Sequence, residues 1–488
     1  MKRICAIVLF AAALVSANAQ TNLVVTNAMT RVMSLQDCFT EALQHNFDVQ
    51  HERYEPQKSL YALYAAYAGY DPVFSLSGQH EYNRFPGNTG STNNYSDQDS
   101  FQSALGGTLP LGTTYNLFGN VSDVTTSHTS GGQAGVDLTQ PLLQNFWIDS
   151  TRLAVGLAKD QLKQSEQGLR QQLITTVTAV ENAYDELAYA RENVQVEEEA
   201  LNLAQTQLNQ DQERVQVGSL APLDVQQDEA QVAQSRANLI TAQFTLVSDQ
   251  NTLKNLITDK YLDWHDLDIV PSAPMDAVRQ FFDVQDSWSK GMTQRPDLIQ
   301  AKLDVEQQGI QLKYDRNQIF PQLDLKGSYG YNGSGPVYSD TFGEIAAVNR
   351  PFYSYGATLS VPLSNAKARN GYKSDKATEQ QLLIALKQLE QNIMVQIDDA
   401  VKQAESAWES VQATHEQRTY AEAALDAEQK KYAVGKSTTF TVLQLQNSLT
   451  AARSAEIRAV ANYNEALAGL AQQEGSTLER RQIDFKYK

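Results

Sequence analysis

The chain has 488 residues, 42% of them hydrophobic, and a formal charge of −18 at neutral pH. That acidity excludes a nucleic-acid partner and gives no attraction to an anionic lipid surface. Beyond the N-terminal leader no run of 18 apolar residues occurs, which excludes a transmembrane helix but leaves open a membrane β-barrel, whose strands are short and only alternately apolar.

Met1-Lys2-Arg3 is a short basic start, and Ile4 to Val15 is an apolar run too short to span a bilayer as a stable helix. Ala17-Asn18-Ala19 fits the small-x-small cleavage rule. Residues 1–19 therefore read as a signal peptide, and its removal with Lys2 and Arg3 takes the charge to −20. Cys5 lies inside the run, so Cys38 alone survives processing. A lone cysteine excludes an internal disulfide, and on a helix it reads as a small buried hydrophobe.

The first repeat, 20–257, begins with a helix over 34–69, followed by strands within 73–140. Phe74, Leu76 and Tyr82 alternate with Ser75, Ser77, Gln79 and Glu81. Phe101, Leu105 and Leu109, then Tyr115, Leu117 and Val121, then Ala134, Val136 and Leu138 continue the alternation. Period two with one polar face predicts half-buried strands. A soluble sandwich is the alternative to a barrel. Against it stand the aromatics near strand ends (Phe74, Tyr82, Phe101, Tyr329, Tyr331, Phe352, Tyr353) and the alternation of long polar connections with one tight turn, Pro110 to Thr113.

A long helix follows over 151–216, with a seam of Leu173, Val177, Val180, Tyr184, Leu187, Leu201, Ala204, Leu208 and Val215 at steps of mostly three and four. At about 65 residues it is roughly 100 Å long, too long for one compact globule. After a turn at Gly218 a return helix spans 223–257. Residues 258–293, with Pro271 and Pro274, read as a linker packing around the middle. The second repeat, 294–473, has a helix over 294–320, strands over 323–362, a long helix over 367–433 and a return helix over 438–473. Its strands carry Leu323, Leu325, Tyr329 and Tyr331, then Tyr353, Tyr355, Ala357, Leu359 and Val361. A tail occupies 474–488.

The two halves are copies. Val217-Gly218-Ser219 recurs as Val434-Gly435-Lys436, an offset of 217 that also superposes Leu169 on Leu386, Ala204 on Ala421 and Leu253 on Leu470. An offset of 249 puts Pro72 on Pro321 and Tyr82 on Tyr331. A unit of this size is one large pseudo-symmetric object rather than a small solenoid repeat.

This duplicated order resembles the TolC family of outer-membrane efflux proteins. Thr139-Gln140-Pro141-Leu142-Leu143 and Ser360-Val361-Pro362-Leu363 stand where strand passes to long helix, Arg295-Pro296-Asp297-Leu298 opens the second copy, and Val217-Gly218 precedes Leu223-Asp224-Val225. The resemblance implies a homotrimeric channel-tunnel, a membrane β-barrel continued by a long α-helical coiled-coil barrel. It implies an outer-membrane location in a Gram-negative-type cell, outer-membrane lipid around the barrel, and a large periplasmic portion. Its partners would be a periplasmic adaptor and an inner-membrane transporter, and its role the passive exit duct of a tripartite efflux or type I secretion system. Two departures stand out. The family usually contributes two strands per half, and here the first half offers four, leaving four or six strands per protomer open. The family's second turn often carries entrance aspartates, where this chain has Thr441 and Gln444.

The candidate adaptor contacts are the turn residues Val217, Gly218, Ser219, Val434, Gly435 and Lys436. The candidate periplasmic entrance is Asp224 and Asp228 with Thr441 and Gln444. Asp224 and Asp228 are four residues apart and share a helix face, while Asp224 near a helix start equally suits a cap. The six histidines do not cluster at ligand spacing, no phosphate loop or nucleophile elbow appears, and no cofactor, metal or catalytic set is predicted. The reading is of a duct and not an enzyme. The alternative is a periplasmic coiled-coil adaptor or scaffold, which would have one helical hairpin flanked by soluble β modules.

Overall fold

The computed structural model describes residues 29–85, 94–125 and 128–483. The leader reading and the last five residues lie outside them.

The chain opens with strand β1 (Met29–Met33) and helices α1 (Leu35–His45), α2 (Phe47–Glu52) and α3 (Tyr54–Tyr67). The segment read as one helix over 34–69 is thus broken. Asn46 leaves helical geometry at ψ 128°, and its side chain accepts from the amides of Asp48 and Val49 to start α2. Then come β2 (Val73–Phe85), β3 (Asn94–Thr108), β4 (Thr114–Val124) and β5 (Thr129–Pro141). Helix α4 (Ser150–Gln216) and its return α5 (Pro222–Ile257) follow. The connecting region holds α6 (Tyr261–Trp264), β6 (Leu267–Pro271) and α7 (Val284–Gln294). The second half contains α8 (Pro296–Gln318), β7 (Gln322–Gly335), α9 (Tyr338–Ala346), β8 (Pro351–Ser360), α10 (Ala366–Ala433), α11 (Thr439–Glu474) and α12 (Thr477–Arg480).

The long helices have 67 and 68 residues, and both return helices have 36. Each long helix is covered by two shorter ones in succession: α4 by α3 and α5, α10 by α8 and α11. The short pieces are tied end to end. Asn46 Nδ2 donates to the carbonyl of Leu256 at 3.0 Å, and Arg295 Nη1 to that of Gln473 at 3.3 Å. Each of those carbonyls is an unpaired C-terminal group of a return helix, so the join satisfies it.

At the waist β1 pairs in parallel with β6, Arg31 opposite Ile269. This pair lies over the main core, built from Phe39, Leu169, Leu173, Val177, Val180, Leu187, Leu253 and Ile257. Tyr184 Oη donates to the Met33 carbonyl at 3.2 Å, and Arg191 Nε to the Ile269 carbonyl at 3.0 Å. Cys38 is fully buried here, and burial pushes its thiol up to about 12.

Among the described residues the six remaining strands form one antiparallel sheet, in the order β2-β3-β4-β5-β7-β8. The hairpin of β3 and β4 is inserted between β2 and β5, so six strands, not four, belong to one protomer's sheet. Register aligns an unbroken apolar row across it: Phe74, Leu105, Leu117, Val136, Tyr329, Tyr353. The opposite face carries Ser77, Gln102, Asn120, Gln133 and Asn332 in register. Phe352 belongs to this polar face rather than to the aromatic girdle, and lies against Phe118 at 6.5 Å. It fits there because Gly135 and Gly330 leave room, a Cβ on Gly330 meeting its ring at 2.7 Å. The strands run further than the alternation indicates, β2 to Phe85 and β3 from Asn94.

Candidate functional site

The sheet stands at one end of the helices and the two interhelical turns at the other. Both turns are built alike. Gly218 has φ +76° and Gly435 φ +74°. The amide of Gly218 donates to the Val215 carbonyl at 2.9 Å and that of Ser219 to Arg214 at 2.9 Å. Gly435 donates to Tyr432 at 3.0 Å and Lys436 to Lys431 at 2.9 Å. These paired bonds are the Schellman closure, which needs a left-handed residue at the glycine position. A Cβ on either glycine would meet nothing within 4 Å. The helices restart differently: Pro222 occupies the first turn of α5, while Thr438 caps α11 by accepting from the Thr441 amide.

Val217, Gly218, Ser219, Val434, Gly435 and Lys436 are all exposed. The sequence reading missed a second matched pair. Leu223 is 63% exposed and Phe440 64% exposed, each five residues past its glycine. Each tip therefore presents a valine before the glycine and a bulky apolar side chain after it. The signal was available in the duplication, since the offset of 217 superposes Leu223 on Phe440.

Beneath the turns lies a buried polar cluster joining the two repeats. Asp211 of α4 has no exposed surface. It accepts from Gln207 Nε2 at 2.7 Å, Tyr432 Oη at 2.7 Å and Thr439 Oγ1 at 3.4 Å. Arg214 stands 3.8 Å from the same carboxylate and lies over the Tyr432 ring at 4.4 Å. Burial, with Asp211 hydrogen-bonded, pushes the Tyr432 phenol up to about 12.

Asp228 also lies in this cluster and has no exposed surface. Its placement corrects the reading of Asp228 as an exposed entrance charge beside Asp224. Burial first, then Asp211 close by, then Asp224, push the Asp228 carboxyl up to about 7. Helical spacing puts both aspartates on one face of α5, and that face turns inward at Asp228. Asp224 and Thr441 are half-buried and Gln444 is exposed. Further up, Gln231 and Asn447 exchange side-chain hydrogen bonds of 2.7 and 3.0 Å between the return helices. Arg458 of α11 bonds Glu186 of α4 at 2.6 Å. The repeats are thus cross-linked by polar contacts along their length.

A bundle of paired long helices, closed by matched turns at one end and an amphipathic sheet at the other, defines a channel-tunnel of the outer-membrane type. The chain belongs to the outer membrane efflux protein family, whose model matches residues 39–258 and 289–476. It is an outer-membrane protein with a large helical periplasmic portion, and the family's role is that of an efflux duct. Among curated proteins it is 25% identical to the outer membrane efflux protein BepC of Brucella suis, over 68% of this chain and 70% of that one. It is 24% identical to the outer membrane protein TolC of Escherichia coli, over 73% and 71%. Among solved structures it superposes on the outer-membrane channel OprN with a TM-score of 0.70, covering 91% of this chain and 90% of that chain at 15% identity. The open-state MtrE channel of Neisseria gonorrhoeae gives 0.65, 91% and 89% at 17% identity.

Proposed function

We propose that the protein is the homotrimeric exit duct of a tripartite efflux or type I secretion system. It conducts passively, and an inner-membrane transporter coupled through a periplasmic adaptor supplies the energy. The observation that carries this reading is the matched pair of exposed tips, Val217 with Leu223 and Val434 with Phe440, at the end remote from the sheet. Exposed apolar side chains on rigid turns mark a docking surface.

Trimerisation is supported by the sheet edges. Among the described residues β2 and β8 each pair on one side only, and six antiparallel strands leave them running in opposite senses. Three copies can then close β8 of one on β2 of the next, giving an antiparallel barrel of eighteen strands without a free edge. Unpartnered stripes on the helices fit the same assembly: Tyr54, Tyr61 and Tyr64 on α3, and Ile240, Phe244 and Val247 on α5. Asp224, with Thr441 and Gln444, lines the periplasmic entrance in this reading, and Asp228 serves the buried cluster instead.

Photo-crosslinkers at Leu223 and Phe440 test the proposal in cells expressing the adaptor. Adducts to the adaptor's helical hairpin are expected from both positions. Adducts only from the sheet end, or none in an exporting strain, would contradict the docking assignment.

A further inference from the structure

The connection between β7 and β8 reads in the sequence as a long polar loop, yet it holds α9. That helix lies on the apolar face of the sheet. Its inward side is fitted to a notch made by three glycines. Gly132 and Gly333 are paired in register, and the row continues through Val121 to Phe101, the last apolar row of that face. A Cβ on Gly333 would collide with the Thr341 carbonyl oxygen and meet Ile345 Cγ1 at 2.7 Å. One on Gly335 would meet Asp340 Cβ at 2.5 Å, and one on Gly132 would meet Thr341 Cγ2 at 3.2 Å. Thr341 has no exposed surface as a result. Tyr338 packs edge-on against Phe101 at 6.0 Å and donates to the Asp99 carbonyl at 3.3 Å.

The exposed side is mixed, with Ser339 and Asp340 beside Phe342, and exposed valines stand at both ends of the helix. Phe342, Val337 and Val348 are 56%, 52% and 51% exposed. Beyond the row of Phe101 and Val121 the same sheet face becomes mostly polar, with His80, Asp97, Asp99 and Asp123, and carries the amphipathic pair Tyr82 and Tyr95, stacked at 5.9 Å. The helix therefore straddles the boundary where the apolar band ends, on the side of the sheet away from the long helices. It lies mainly over β7, β5 and β4 and reaches β3 through Tyr338, so it sits over the middle of the sheet rather than over the edges where a neighbouring copy would pair.

We infer that α9 is an interfacial collar whose exposed apolar residues, Phe342 within it and Val337 and Val348 at its two ends, rest among the acyl chains of the outer leaflet. The inference rests on the reading that the apolar sheet face meets lipid, and extends that contact from strands to a helix lying in the interface. An amphipathic helix at this depth pins the height of the barrel in the bilayer, because either displacement takes apolar side chains into water or charged ones into lipid.

Nitroxide labelling tests it in the full-length protein reconstituted in phosphatidylcholine vesicles. In a Cys38→Ala background, Phe342→Cys and Leu76→Cys are labelled separately, and collisions with oxygen are compared with those of a water-soluble nickel complex. The label at 342 should collide with oxygen in preference to nickel, as should the label at 76 on the apolar sheet face. Val348→Cys gives a second reporter should the substitution at 342 prevent assembly. Nickel preference at 342 with oxygen preference at 76 would put α9 in water and overturn the collar while sparing the barrel. Shielding from both at 342 would mean that protein covers the helix, which also overturns it. Nickel preference at 76 would overturn the lipid-facing sheet and the collar with it.

Discussion

The buried pair Asp211 and Asp228 makes the tip sensitive to pH, and Asp228→Asn isolates that effect. Asp228 has its ordinary carboxyl value of 3.8 when unfolded and about 7 when folded. The folded tip therefore holds the proton more tightly. The stabilisation is fully present below the unfolded value, is lost as pH rises from about 4 to about 7, and changes no further above that. The full span is about 3 units, on the order of 4 kcal/mol, or up to about a thousandfold in a local opening equilibrium. The charged groups acting on Asp228 are Asp211 on α4 and Asp224 on α5, while Arg214, Tyr432 and Thr439 face Asp211 behind it. Amide hydrogen exchange reports local opening, whereas a global melt of a large membrane assembly reports mainly its kinetics. After correction for intrinsic exchange, protection in 204–232 and 428–446 should fall between pH 5 and pH 8 in the wild type. In Asp228→Asn it should stay level, because an amide has no proton to lose. An equal fall in both proteins would refute the assignment of the effect to Asp228.

Gly435→Glu should cost about 1–2 kcal/mol through its left-handed backbone alone, since no atom crowds the site, and so leave assembly intact while abolishing export; a blocked assembly on native gels would make the turn structural. At pH 6 Asp224→Ala should weaken block by multivalent cations in planar bilayers, whereas Asp228→Asn should not, because the Asp228 carboxyl, raised to about 7, is then protonated and carries no charge. Equal effects of the two would contradict the inward orientation of Asp228. Cysteine pairs scanned along β2 and β8 should give disulfide-linked trimers on denaturing gels, and a lack of any intermolecular link would contradict closure through those edges.

The long helices were legible because the signal is redundant. A seam sustained over many turns and a second copy 217 residues away both specify them. The apolar rows of the sheet were legible from period two, but not the strand ends. Asn83 to Phe85 and Asn94 to Ser100 carry no apolar alternation, and pairing with neighbouring strands makes them strand. Helix α9 left no trace because its nine residues are too short for a sustained period and are seated by glycines, Gly333 and Gly335 just before it and Gly132 far away in the sequence, whose role no local pattern shows. The tip cluster was half visible. Asp211 interrupts the seam that runs from Leu208 to Val215, which marks it as a charge turned toward a partner. The partner Tyr432 stands 221 residues away, and no local pattern names it. Spacing places Asp224 and Asp228 on one face and is silent on which way that face turns.

The central claim is a trimeric duct in the outer membrane, and native mass measurement of protein extracted from purified outer membranes tests it most directly. The account predicts a single species of three protomers in that fraction. A monomer recovered from the soluble periplasm would contradict it.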